Sequence, residues 1–270
     1  MRNYIKLYET ELQLRNYAER TIACYLSMLK LFCEHFETDP VFITETQIKA
    51  YLKGSSSQAQ LRQRIGALKR FYQYVLKQPL KFKFIDYPRR EEHLPDVLSK
   101  SEVRRLFAAC TNMKHRAIMQ IFYSTGIRES ELINLKLTDI DSDRMVIRIE
   151  QGKGKKDRYV PLSEMTLKVL RKYYREYKPS RYLFNGQFSD RYSATSIRNF
   201  VKKYAAQAKI NKRVYPHLIR HCNATHLFEA GTDLAVIQRL LGHKQHKTTA
   251  RYAHMSKRMI STVQTPDSFL

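Results

Sequence analysis

Tyr252 lies in the stretch LGHKQHKTTARYAH, Leu241 to His254, among three histidines and three basic residues. Such residues serve three chemistries: a metal site, a phosphate-binding surface, or a tyrosine acting as nucleophile. Upstream, PHLIRH sets His217, Arg220 and His221 on a predicted helix. Two imidazoles four apart share a helix face, as zinc ligands do. Yet Leu218 stands where a zinc protease needs Glu directly after its first His. The Arg220 guanidinium also offers no lone pair and repels a divalent cation. No metal site is therefore expected. An anion fits better, because Pro216 suits a first helical position and leaves His217 in the first turn, where free backbone N–H groups attract phosphate. His217 and Arg220, three apart, then form a two-pronged phosphate clamp, against the plainer reading of an ordinary surface pair.

His243 and Tyr252 are nine residues apart, about 900° around an unbroken helix, which puts them on opposite faces. They converge only if the helix breaks. Gly242 is a plausible stop and Thr248 or Thr249 a plausible new N-cap, so convergence is possible in sequence terms.

The elements that must position these residues are mostly helical. In ERTIACYLSMLKLFCEHF, Ile22, Tyr25, Leu26, Leu29, Phe32 and Cys33 fall on one stripe. LRQRIGALKRFYQYVL repeats the pattern with Leu61, Ile65, Leu68, Phe71, Tyr72 and Val75, and carries Arg62, Arg64, Lys69 and Arg70 on a face that is either solvated or DNA-facing. These segments predict a helical domain over 1–86. FIDYPRREEHLPDVLSKSEV, with Pro88, Pro95 and a charge run, supplies a linker over 87–97. A second domain over 98–262 opens with Ser99 and Glu102 in capping-box spacing, followed by Val103, Leu106 and Phe107. Two helices surround STGIRESELINL. RMVIRIEQGKGKKDRYVPL then alternates, which predicts two strands joined by a turn at GKGKK. Helices follow over 163–178, 193–208, 217–230 and 233–241, with a short one around Tyr252 and a tail over 263–270. The fold class is thus mainly α: an N-terminal helical bundle and a mostly helical C-terminal domain with a small antiparallel sheet.

The charge balance points to a polyanion. The chain of 270 residues carries 49 Lys and Arg against 25 Asp and Glu, a net charge of +24, and nucleic acid heads the candidates. An anionic membrane surface is the rival, but no apolar run reaches a membrane span and MRNYIKLYET is no signal peptide. Four cysteines without a CxxC pair, Cys24, Cys33, Cys110 and Cys222, fit a reducing compartment. The chain reads as a soluble cytoplasmic protein.

STGIRESELINL, GKGKKDRYVPL, PHLIRHCNATHLFEAGTDLAVIQRLLGH and KTTARYAH together resemble the motifs of the tyrosine recombinase (phage integrase) family, in its Xer-like branch, in order and at similar spacing. The resemblance covers about 97–256, and extends less sharply to the N-terminal half, which is similar to the family's SAM-like core-binding domain. It implies Arg128, Lys153, His217, Arg220 and His243 as catalytic residues and Tyr252 as nucleophile. Glu131 would support Arg128 by an ion pair. Arg62, Gln63, Arg64, Lys155 and Lys156 are the DNA-contact candidates. His221, His226, His246 and His254 are read as structural or DNA-contacting. One departure follows the second arginine motif, where relatives commonly carry Ser or Thr and then Phe, and this chain has Cys222 and Asn223. Altered packing around the site is expected there, rather than lost activity.

The implied reaction is phosphoryl transfer without metal, ATP or other cofactor. Tyr252 attacks a DNA phosphate, forms a 3′-phosphotyrosine and releases a 5′ hydroxyl. A phenol with a pKa near 10 is only about 0.1% ionised at pH 7, so the site must activate it. Arg128 and Arg220 would hold the charge of the transition state, helped by His243. His217 is either the proton acceptor or a charge stabiliser, and Lys153 either the general acid for the leaving oxygen or a phosphate contact. The expected partner is double-stranded DNA gripped by both basic domains as a clamp. Four subunits on two sites exchange strands through a Holliday junction, and the free protein is monomeric or weakly associated. The tail ISTVQTPDSFL is expected to dock on a neighbouring subunit. Two alternatives remain: a type IB topoisomerase-like relaxase and a non-catalytic DNA-binding protein.

Overall fold

A computed structural model describes residues 2–89, 96–150 and 157–242. The chain divides into two compact units, Met1–Glu92 and His93–Leu270.

The first unit is built from four helices, α1 (Arg2–Leu14), α2 (Glu19–His35), α3 (Glu45–Lys53) and α4 (Gln58–Tyr74), closed by a 3₁₀ turn at Pro79–Phe82. The apolar stripes of α2 and α4 face each other, so Leu29, Phe32, Ile65, Leu68, Phe71 and Tyr72 form its core with Tyr8 and Leu12 of α1. Thr44 and Gln47 form a capping box on α3, and Ser57 caps α4. Two of the buried tyrosines are satisfied at their polar ends, Tyr8 donating to Ala67 O at 2.7 Å and Tyr72 to Pro40 O at 2.8 Å.

The second unit opens with α5 (Lys100–Ala109), capped by Ser99 and Glu102 as the sequence spacing predicts. There follow α6 (Met113–Thr125) and the short α7 (Glu129–Asn134). Helix α6 is the axis of this unit, with Ala117, Ile118, Met119, Ile121, Phe122 and Thr125 all buried. A helix so widely apolar must be surrounded, and α8 (Glu164–Tyr177) and α10 (Pro216–Glu229) flank it. Helices α9 (Ala194–Gln207) and α11 (Leu234–Leu241) complete the described residues.

Among the described residues the sheet has three antiparallel strands rather than the two expected. Strand β1 (Ile140–Asp141) pairs with β2 (Val146–Ile149), which pairs with β3 (Arg158–Pro161). At two residues, β1 is too short to show alternation, and its register is set by the partners Ile147 and Val146. The expected GKGKK turn lies outside the described residues. Among the described residues no helix is long and apolar enough to cross a membrane.

Candidate active site

Helix α10 begins as the sequence dictates, with Pro216 in its first turn and an extended Tyr215 before it. It is not amphipathic in the ordinary sense. Arg220, Asn223, Thr225 and His226 are buried along with its apolar residues. Buried polar groups require partners, and Arg220 and Asn223 find them in the ends of other helices.

Arg220 is 1% exposed. Its Nη1 donates to Gly126 O, and its Nη2 to Leu241 O at 2.7 Å. These carbonyls lie at the C-terminal ends of α6 and α11, where helices leave acceptors unpaired and carry partial negative charge. Gly126 and Gly242 end these helices in the left-handed conformation, each with φ of 62°. Gly126 is further restricted, because a Cβ there would sit 2.4 Å from Asn223 Oδ1 and 2.7 Å from Leu241 Cδ2. Asn223 Nδ2 donates to Tyr123 O at 2.8 Å and Ser124 O at 3.3 Å. Cys222 Sγ accepts from Leu98 N at 3.2 Å. The two positions that depart from the family's usual residues therefore hold the last turn of α6 and the segment leading into α5.

The expected two-pronged clamp takes a different form. His217 is exposed at the helix start, while Arg220 turns inward to the helix ends that offer it carbonyl acceptors. Desolvation by the surrounding protein lowers the His217 pKa, and the charges of Arg220 and Arg128 lower it further, with Glu129 opposing. The ring stands edge-on to His221 with centroids 4.5 Å apart. His226 is occupied elsewhere, its Nδ1 lying 2.9 Å from the Tyr123 hydroxyl.

Arg128 enters the same locus from the residue preceding α7. Its Nη2 donates to Gly242 O at 2.8 Å, and its Nη1 to Glu131 Oε1 at 2.7 Å. The Arg128 backbone N–H donates to Glu131 Oε2 at 2.7 Å, the N-terminal arrangement in which a third-position Glu reaches back to the cap. Glu131 thus pairs with Arg128 as the spacing suggested. Its carboxylate also accepts from Arg158 Nη1 at 2.9 Å and Nη2 at 2.8 Å. Burial alone would raise the Glu131 pKa, but hydrogen bonds and charge from Arg158 and Arg128 overcome it and hold the carboxyl down to about 2.

Nothing local in the sequence singles out Arg158, although it stands inside GKGKKDRYVPL. Its partners explain why: Glu131 is 27 positions upstream and Leu240, whose carbonyl accepts from Arg158 Nε at 2.8 Å, is 82 downstream. The only local signal is an arginine at the start of a strand, a position that is usually solvated.

The structure therefore brings Arg128, Glu131, Arg220 and the end of α11 together, with His217 within electrostatic reach of both arginines. Lys153, Lys155, Lys156, His243 and Tyr252 lie outside the described residues, as do His246, His254 and the tail. Of the DNA-contact candidates on α4, Gln63 is exposed. Arg62 donates to Pro88 O at 2.7 Å and lies over the Tyr87 ring. Arg64 donates to Tyr51 O and Ser55 Oγ and lies over the Tyr51 ring.

Comparison with known proteins adds an independent line. Residues 96–259 match the model of the phage integrase family, and residues 5–82 match that of the phage integrase N-terminal SAM-like domain. A putative integrase/recombinase, y4qK of Sinorhizobium fredii, is 36% identical over 270 residues, covering 96% of this chain and 87% of the relative. Tyrosine recombinase XerC of Bacillus subtilis is 29% identical over 296 residues, covering 96% and 94%. A lambda integrase tetramer bound to a Holliday junction shares the fold, with a TM-score of 0.76 at 19% identity over 93% of this chain and 76% of that one.

Proposed function

The chain belongs to the phage integrase family, with Xer tyrosine recombinases among its relatives, and from that premise we propose that it cuts and rejoins duplex DNA at a specific site through Tyr252. The observation that carries the chemistry is the convergence of Arg128 and Arg220 on adjacent carbonyls, Gly242 O and Leu241 O, directly before His243 in the chain. Two guanidinium groups held this close, neither able to deprotonate, favour an anion with the charge distribution of a phosphorane.

In the proposed mechanism the Tyr252 phenolate oxygen attacks phosphorus, the P–O5′ bond breaks, and the 3′ phosphate becomes a tyrosyl ester. His217 accepts the phenol proton. Its lowered pKa supports that role, because a neutral imidazole has a lone pair to offer at pH 7. Lys153 gives a proton to the departing 5′ oxygen. The second half of the reaction reverses these steps with a 5′ hydroxyl from another strand, so bond energy is conserved and no ATP is needed, while the arginines supply the charge stabilisation a metal would otherwise give. Arg128 and Arg220, with His243, stabilise the non-bridging oxygens, and Glu131 keeps Arg128 in place.

The +24 charge suits a duplex as partner, with Arg62, Gln63 and Arg64 on α4 and Lys155 and Lys156 as contacts. We place residues 1–86 as the core-binding domain and 98–262 as the catalytic domain, joined by a linker at 87–97 and followed by a tail at 263–270. Four copies act on two sites by way of a Holliday junction, a reading supported by the lambda integrase tetramer that shares the fold. The free chain is monomeric or weakly associated, and it works in the cytoplasm. Four free cysteines fit a reducing setting.

The test is covalent trapping. Nicked duplexes drawn from DNA flanking the protein's own gene should yield a protein–DNA adduct in EDTA, and Tyr252→Phe should bind the same DNA without forming it. An adduct from the Phe variant assigns the nucleophile wrongly. Relaxation of supercoiled plasmid without any two-site product would favour a topoisomerase instead.

A further inference from the structure

The last three carbonyls of the α11 end, Leu240, Leu241 and Gly242, are each held by a different arginine. Arg158 of β3 takes the first at 2.8 Å, Arg220 of α10 the second at 2.7 Å, and Arg128 before α7 the third at 2.8 Å. Two of these arginines are candidates for touching phosphate. The third, Arg158, is largely buried, as Arg220 is, but its terminal nitrogens grip both oxygens of a carboxylate. Arg158 uses Nε on Leu240 O and both terminal nitrogens on the two oxygens of Glu131, and its side chain is 12% exposed. Its donors face protein.

We propose that Arg158 is a positioning residue for DNA cleavage, one that locks Arg128 and the end of α11 into a single array through Glu131. The inference rests on the recombinase reading above. The Glu131 carboxylate accepts four N–H groups, two from Arg128 and two from Arg158, which fills the lone-pair directions a carboxylate offers. Both arginines share Oε1, so the place of the Arg128 guanidinium depends on where Arg158 holds that oxygen. On its other side, Arg158 lies so close to Gly242 that a Cβ there would stand 3.3 Å from its Cδ, Nε and Nη1. One side chain therefore ties strand β3, which begins five residues after Lys153, to the helix end that immediately precedes His243. A displacement of about 1 Å in a catalytic donor is enough to cost roughly 100-fold in rate, so the bracing has something to protect.

The experiment uses the full chain and nicked duplexes recovered by binding selection from DNA flanking the protein's own gene. Arg158→Gln and Arg158→Lys are compared with wild type in single-turnover adduct formation across protein concentrations. Arg158→Gln is expected to lower the rate at saturation by about 10- to 100-fold while the half-saturating concentration moves by less than about threefold. Arg158→Lys should recover part of the rate, since an ammonium meets Glu131 but cannot span both carboxylate oxygens and Leu240 O together. A simple packing role predicts the opposite split, with equal loss of binding and rate in proportion to lost folding, read by thermal melting. Should Arg158→Gln melt too early to assay, the Lys variant carries the comparison, and full wild-type rate in a folded Lys variant overturns the proposal. Wild-type rate in Arg158→Gln overturns it as well, and leaves the recombinase reading intact. Absence of any adduct from wild type sinks the recombinase reading and the positioning role with it.

Discussion

Arginines in both units donate to backbone carbonyls, but they do so at different depths and with different completeness. On α4, Arg62 gives one hydrogen bond to Pro88 O and rests 5.2 Å from the Tyr87 ring centroid, and Arg64 reaches Tyr51 O and Ser55 Oγ at 3.4 and 3.3 Å. These are part-buried staples, and those of Arg64 are long. In the second unit, Arg128, Arg158 and Arg220 address three consecutive carbonyls, and Arg128 and Arg158 share one carboxylate that is 5% exposed. Here the donors are fixed before any substrate arrives, which is what electrostatic catalysis requires. The same functional group can therefore serve affinity in one unit and preorganisation in the other, and the partners around it decide which.

The largest break in this contrast should come from Arg220→Ala. We expect about a 100- to 1000-fold loss of adduct formation on nicked duplex, the usual cost of one preorganised donor. Loss of stability on the order of 3 kcal/mol, read from urea denaturation, should accompany it, since Gly126 O and Leu241 O lose a buried donor. Arg220→Lys should rescue little, because one ammonium cannot bridge both carbonyls.

Glu131→Gln tests the shared carboxylate. A carboxyl whose pKa falls on folding stabilises the fold at pH above its ordinary range, and that contribution is lost as pH drops through the folded value. For Glu131 the window runs from about 4.5 down to about 2, and the linkage amounts to roughly 3 kcal/mol at pH 7. The Gln variant should be less stable at pH 7 by up to that amount. Its stability should also fall less steeply than that of wild type between pH 4.5 and 2. Parallel pH profiles would mean that the array is not held by the ionised form.

Gly126→Ala should cost somewhat less, about 2 kcal/mol in the same denaturation assay. The new Cβ pays for a positive φ and also meets Asn223 Oδ1 and Leu241 Cδ2 at distances that force one of them to move. An unchanged midpoint would show that the end of α6 is softer than the hydrogen bonds to Arg220 and Asn223 imply.

Much of this architecture is legible in the sequence because it is local. The apolar stripes of α2 and α4, the Ser99 and Glu102 cap, Pro216 at the start of α10 and Gly242 at the end of α11 all follow from periodicity or from one residue's conformational preference. The Arg128 and Glu131 pair is legible for the same reason, being three residues apart at a helix start. Arg158 is not, because its role is set by contacts 27 and 82 positions away. Nor is the inward turn of Arg220, since helical spacing gives a side chain's face but not the carbonyls waiting beyond it. Strand β1 escapes notice because two residues carry no period.

The smallest effects should come from α4, and they bear on whether its arginines are more than staples. A guanidinium lying over a tyrosine ring keeps its charge and loses little further freedom on meeting a phosphate, so Arg62 and Arg64 remain fit for backbone contact while engaged with Tyr87 and Tyr51. If each neutralises one phosphate, Arg62→Ala and Arg64→Ala should each reduce the slope of log affinity against log salt by about 1, and weaken binding similarly across unrelated duplex sequences. Arg64→Ala should also shift the urea midpoint by under about 1 kcal/mol, because its hydrogen bonds are long and only part-buried. A salt slope identical to wild type in both variants would assign these arginines to the domain's own packing. The DNA-facing charge of the first unit would then have to come from its other basic residues, with Lys69 and Arg70 on the same helix as the next pair to remove.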